Sequence, residues 1–142
     1  MWKKVLLWVV IGGAAAFLAA QLIPYGHDHS NPPIVKEAPW DSPRTRELAV
    51  GACFDCHSNE TIWPWYSNIA PASWLLYGDV SGGREALNFS EWQDNAQALG
   101  AADAVERKSM PPKTYSMAHP AAQLTDALRA ELAQGFKNMA GQ

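Results

Sequence analysis

The chain's only two cysteines stand three positions apart, at Cys53 and Cys56, and His57 follows directly. Two thiols rule out a disulfide-dense scaffold, so stability has to come from a packed core. At 142 residues the chain is long enough for one such core and cramped for two. The order Cys53-Phe54-Asp55-Cys56-His57 asks for a short helix. Two intervening residues place both sulfurs on one edge of a porphyrin, where each reaches a vinyl group. The adjacent histidine then lies under the iron as the proximal ligand, the pattern of covalent c-type haem attachment. Three other readings compete. A thioredoxin-like redox pair needs a βαβ context, and this chain has no strand-like alternation of useful length. A zinc site can be assembled on paper from Cys53, Cys56, His57 and His119, but the usual second ligand pair at metal spacing is absent. A simple disulfide leaves His57 unexplained. One haem c, held through Cys53 and Cys56, is the expected cofactor.

A second constraint lies at the N-terminus. Val5 to Ile23 is a run of nineteen residues without a charge, preceded by Lys3 and Lys4 and followed by Pro24. At about 1.5 Å per residue it spans roughly 28 Å as a helix, close to the hydrocarbon core of a bilayer. The flanking lysines predict a cytoplasmic N-terminus, with the rest of the chain on the periplasmic, extracytoplasmic side of a bacterial cytoplasmic membrane. A cleaved signal peptide is the rival, since Ala14-Ala15-Ala16 offers small residues to a peptidase. Residues 25–142 hold nine of the eleven basic residues and all fourteen acidic ones, a balance of −5. That composition excludes a polybasic surface for nucleic acid or anionic lipid. The membrane, met through the N-terminal helix, is the one partner the sequence names. Redox partner proteins are expected without being identified.

Between these features the chain divides into a membrane segment (1–24), a proline-rich tether (25–39) and a haem-binding domain (40–142). His27 and His29 in the tether read as solvated. Ser42 before Pro43 predicts a helix leading into the cysteines. Pro71 opens another, which Gly82-Gly83 should break. Ser90, with Trp92, Ala96 and Leu99, predicts a third. Met110-Pro111-Pro112 ends any helix there. Thr125 caps the last, with Leu128, Leu132, Phe136 and Met139 as its apolar stripe. The expected fold is all-α: a small cytochrome c-like helical domain with long loops around one haem, preceded by a single transmembrane helix.

A six-coordinate haem needs a distal ligand, commonly Met or His. Met110 is the first candidate, in a loop stiffened by two prolines, and His119, held before Pro120, is the alternative. Trp63, Trp65, Trp74 and Trp92 are expected to wall the macrocycle, because aromatic side chains cover a large flat area with few rotamers to lose.

The block from Cys53 through Thr61 and Trp63-Pro64-Trp65-Tyr66-Ser67 resembles the haem-binding domain family of small bacterial proteins. Ser73-Trp74-Leu75, Gly83-Arg84-Glu85, Leu87-Asn88-Phe89-Ser90-Glu91-Trp92, Met110-Pro111-Pro112 and His119-Pro120 extend the likeness over nearly the whole chain. Ser81-Gly82-Gly83 departs from it, where relatives carry charged helix formers. The resemblance implies a membrane-anchored monohaem domain with Cys53, Cys56 and His57 in the attachment motif. It leaves the distal ligand open. One-electron transfer is the expected role; a peroxidase-like enzyme or a haem-based sensor, with an open or displaceable distal ligand, is the alternative.

Overall fold

A computed structural model describes residues 1–141. Helix α1 covers Trp2–Ala20, α2 Pro43–Ala52, α3 Phe54–His57, α4 Ala72–Ala86, α5 Ala96–Glu106, α6 Lys113–Ala118 and α7 Asp126–Ala140. Single 3₁₀ turns lie at Trp65–Asn68 and Pro120–Ala122. Among the described residues the only β feature is an isolated bridge between Lys36 and Glu91, so the all-α expectation holds.

The chain forms two compact units, one from Met1–Ser30 and Trp63–Asp79, the other from Asn31–Ile62 and Val80–Gln142. In the first unit, α1 buries none of its residues and is long and apolar enough to cross a membrane. It stops at Ala20, four residues before Pro24. Gln21 ends it by turning its side-chain amide onto Ala70: Nε2 donates to the Ala70 carbonyl at 3.1 Å, and Oε1 accepts the Ala70 amide at 2.9 Å. Gly26 has φ +82°, and a Cβ there would strike the backbone of Ser73. Only glycine suits both conditions. His29, read as solvated, instead stacks on Trp63 with centroids 4.4 Å apart and bonds through Nε2 to the Ser67 carbonyl.

The second unit is built on α5 and α7. Leu132, Ala133, Phe136 and Met139 of α7 face Ala98, Ala102 and Val105 of α5, and Leu48 and Ala49 of α2 complete the apolar cluster. Helix α2 begins as its sequence predicts: Ser42 accepts the Thr45 amide at 3.1 Å ahead of Pro43. Thr125 does the same for α7 through Leu128. Phe89 sits at the centre, stacked on Phe54, Trp92 and Phe136, with Trp40 tilted against it at 5.0 Å.

Two helix boundaries differ from expectation. Gly82 and Gly83 do not break α4, which continues to Ala86. The cost of two glycines in a helix, about 1 kcal/mol each, is offset at Gly83 by the contact it permits, described below. Ser90 caps no helix, and α5 starts only at Ala96. The Ser90 carbonyl instead accepts the amides of Val35 and Lys36, and Trp92 donates its amide to Lys36. Those bonds hold residues 90–92 beside a stretch of the expected tether. Ala38, whose amide bonds to the Phe89 carbonyl at 2.9 Å, is accordingly buried.

Candidate functional site

Cys53 ends α2 with φ −132° and begins the single turn of α3. Its carbonyl accepts the amides of Cys56 and His57, at 3.2 and 2.9 Å. That turn brings the three residues of the motif together as the sequence requires. Both cysteines are free thiols. Burial, with Cys56 adjacent, pushes the Cys53 thiol up to about 12. It is therefore protonated at neutral pH, the opposite of the lowered pKa that activates a thioredoxin-like nucleophile.

The segment after α4 fixes His57. Its Nδ1 lies 3.0 Å from the Leu87 carbonyl. A carbonyl only accepts, so Nδ1 carries the hydrogen and the lone pair is on Nε2. Two residues on, the Phe89 amide donates to the His57 carbonyl at 2.8 Å. Burial lowers the pKa of the ring, and the carbonyls of Leu87 and Gly83 pull it partly back. A neutral imidazole with Nδ1–H bound to a backbone carbonyl is the form in which histidine ligates a metal. Two unjoined thiols beside such a ring have the donor set that covalent haem attachment uses, and they fit that group. Among the described residues, no three His, Cys, Asp or Glu side chains cluster as a metal site would need.

Gly83 supports this geometry from α4. A Cβ at position 83 would collide with the carbonyl oxygen of Cys56. The missing side chain at position 83 is thus what lets α4 close onto the motif. Arg84, next to it, donates to the Ser58 carbonyl at 2.8 Å and to Asn31 and Thr61, each at 2.9 Å. Behind the motif, Ser90 Oγ accepts the Asn59 amide, Asn88 donates to Asn59, and Ser58 Oγ caps the Phe54 carbonyl at 2.8 Å. These bonds satisfy a buried polar stretch that would otherwise cost stability.

The distal candidates lie in different settings. Met110 is 37% exposed, its amide bonded to the Ala104 carbonyl and its own carbonyl to Arg129. His119 is partly buried, stacked on Tyr115 at 3.9 Å and 14°, with Nδ1 2.9 Å from the Tyr115 carbonyl. Tyr115 in turn donates its hydroxyl to Asp55, inside the motif, at 2.7 Å. Burial, and then Asp55, raise the Tyr115 pKa, so that hydroxyl stays protonated and donating. Sequence reasoning gave no site role to Tyr115, Asp55 or the Leu87 carbonyl, and read Gly83 as a helix breaker. For Gly83 the signal was present as a glycine pair inside an otherwise helical stretch.

The four tryptophans expected to wall the macrocycle divide between the two units. Of the four expected around the site, the unit that holds Cys53, Cys56 and His57 contributes Trp92 alone, and it is packed on Phe89. Trp63, Trp65 and Trp74 belong to the other unit, where Trp65 is 76% exposed.

Comparison with known families matches residues 15–138 to the model of a family described as the haem-binding domain. No curated protein and no solved structure matches the chain.

Proposed function

The chain belongs to the haem-binding domain family, and from that premise we propose that it carries one haem c and works as a membrane-anchored one-electron carrier. Cys53 and Cys56 hold the haem through thioether bonds, and His57 is its proximal ligand. The hydrogen bond from His57 Nδ1 to the Leu87 carbonyl carries this reading, because it restrains the ring and leaves its lone pair on Nε2. Bound haem supplies the ferric–ferrous couple; the protein supplies attachment, orientation and exclusion of water. α1 anchors the domain in the cytoplasmic membrane, with the haem on the extracytoplasmic side. An acidic surface suits weak, salt-dependent docking to basic redox partners.

Met110 is the proposed distal ligand. His119 is the alternative, favoured by one observation: its Nδ1 is bonded to a backbone carbonyl just as that of His57 is, so its lone pair also lies on Nε2. Met110→Ala loses the low-spin spectrum if methionine is the ligand, and His119→Ala keeps it. A thioether ligand also sets a higher reduction potential than a second imidazole.

The test is the full chain produced in a host competent for c-type maturation. Its haem resists acid–acetone extraction, and Cys53→Ser/Cys56→Ser releases it. Ferric and ferrous spectra with and without carbon monoxide then report on the distal face. Haem extractable from the unaltered protein overturns covalent attachment. Failure to cycle between ferric and ferrous states overturns the carrier role. Rapid carbon monoxide binding favours a peroxidase-like or sensing role at an open site.

A further inference from the structure

The unit formed by Met1–Ser30 and Trp63–Asp79 has an unusual surface. Its only Lys, Arg, Asp or Glu side chains are Lys3, Lys4, Asp28 and Asp79, and the sixteen residues Trp63–Gly78 contain none. Yet this stretch exposes large apolar groups: Trp65 at 76%, Leu75 at 69% and Ile69 at its edge. Leu22, Ile23 and Tyr25, just past α1, are exposed as well. A soluble surface would intersperse charges among such groups, and exposed apolar side chains without them mark an interaction site.

The contacts within this unit identify the occupant. Ala70 is fully buried and receives both atoms of the Gln21 amide, one residue beyond the end of α1. Gly26 lies against Ser73 in the first turn of α4. Residues 65–75 are thus fastened, at two points, to the place where the helix ends. A span of nineteen residues, about 28 Å as a helix, ends where hydrocarbon gives way to headgroups. Tryptophan and tyrosine gather at that depth, with an apolar body in the acyl boundary and a polar tip in water.

We propose that Trp65, Ile69 and Leu75 form a second membrane contact, lying in the lipid headgroup–acyl boundary beside the exit of α1. The element held there adds apolar area to the anchor and restrains the chain at the bilayer surface. This inference rests on α1 being a retained span, so the test reads the two separately. The photoreactive residue p-benzoylphenylalanine is installed singly at positions 8, 65, 75 and 99 of the full chain, reconstituted in phosphatidylcholine vesicles. Position 8 lies within α1, and position 99, exposed on α5 of the other unit, is the control. Irradiation yields lipid adducts at 8, 65 and 75 and none at 99. Adducts at 8 without adducts at 65 and 75 overturn the second contact and leave the anchor standing. Chain-to-chain adducts at 65 or 75 in place of lipid overturn it in favour of a protein interface. Absence of adducts at 8, together with release of the protein by alkaline carbonate, overturns the anchor and the contact with it. A second measurement uses Trp65→Ser/Leu75→Ser. It keeps the anchor but loses protection of residues 65–75 from hydrogen exchange in vesicles; unchanged protection overturns the proposal.

Discussion

The two units use apolar residues in opposite ways. In the unit of Asn31–Ile62 and Val80–Gln142, Phe89, Phe136, Leu132 and Met139 are buried within 1% of completely. Its surface carries pairs such as Arg44–Glu131, Arg46–Glu37 and Lys108–Asp126. Those exposed pairs add little stability, but they mark a surface made for water. The unit of Met1–Ser30 and Trp63–Asp79 reverses the pattern: it exposes Trp65, Leu75, Leu22 and most of α1 and carries almost no charge. Composition already separates the two, with 4 charged residues in 47 against 21 in 95. Where the apolar side chains point sharpens the difference: inward in one unit, outward in the other.

The sharpest way to break the comparison is to remove a ring from each unit. Phe136→Ala should cost about 3–5 kcal/mol in urea unfolding, because it empties a fully packed site against Phe89. The glycine pair of α4 gives the next contrast. Gly83→Ala should destabilise by about 1–3 kcal/mol by forcing α4 off the Cys56 backbone. Gly82→Ala, with open space around it, should instead stabilise by up to about 1 kcal/mol. Tyr115→Phe deletes the bond to Asp55 at a cost of about 1–2 kcal/mol, with faster hydrogen exchange over α6. Ser42→Ala removes the cap of α2 and should cost about 1 kcal/mol. Trp65→Ala should change the unfolding free energy in detergent by less than about 0.5 kcal/mol, as for an exposed side chain without a core role. A loss for Trp65→Ala as large as that for Phe136→Ala would show that both units rest on the same kind of core.

Much of this was legible beforehand. The uncharged run announced α1, Ser42-Pro43 and Thr125 announced two helix starts, and the α7 stripe named Leu132, Phe136 and Met139 of its buried face. The spacing of Cys53, Cys56 and His57 announced the short helical turn that holds them. The failures share a cause: each needed a partner distant in sequence. Ser90 looked like a helix cap because local pattern cannot see the amides of Val35, Lys36 and Asn59 that claim it. Gly83 looked like a breaker because nothing local shows the Cys56 carbonyl opposite. His29 looked solvated for want of Trp63 and Ser67.

The acceptor for His57 Nδ1 belongs to the main chain, and that has an evolutionary consequence. Whatever side chain replaces Leu87, the oxygen opposite the ring stays. A carboxylate in its place would draw the shared hydrogen toward itself, making the ring a stronger donor, and one base change could install or erase it. A carbonyl does neither: it is uncharged and does not titrate. The electron richness of this imidazole is thus shielded from point mutation and from acidity alike. If the domain carries the proposed haem, drift in its potential would have to enter by another route.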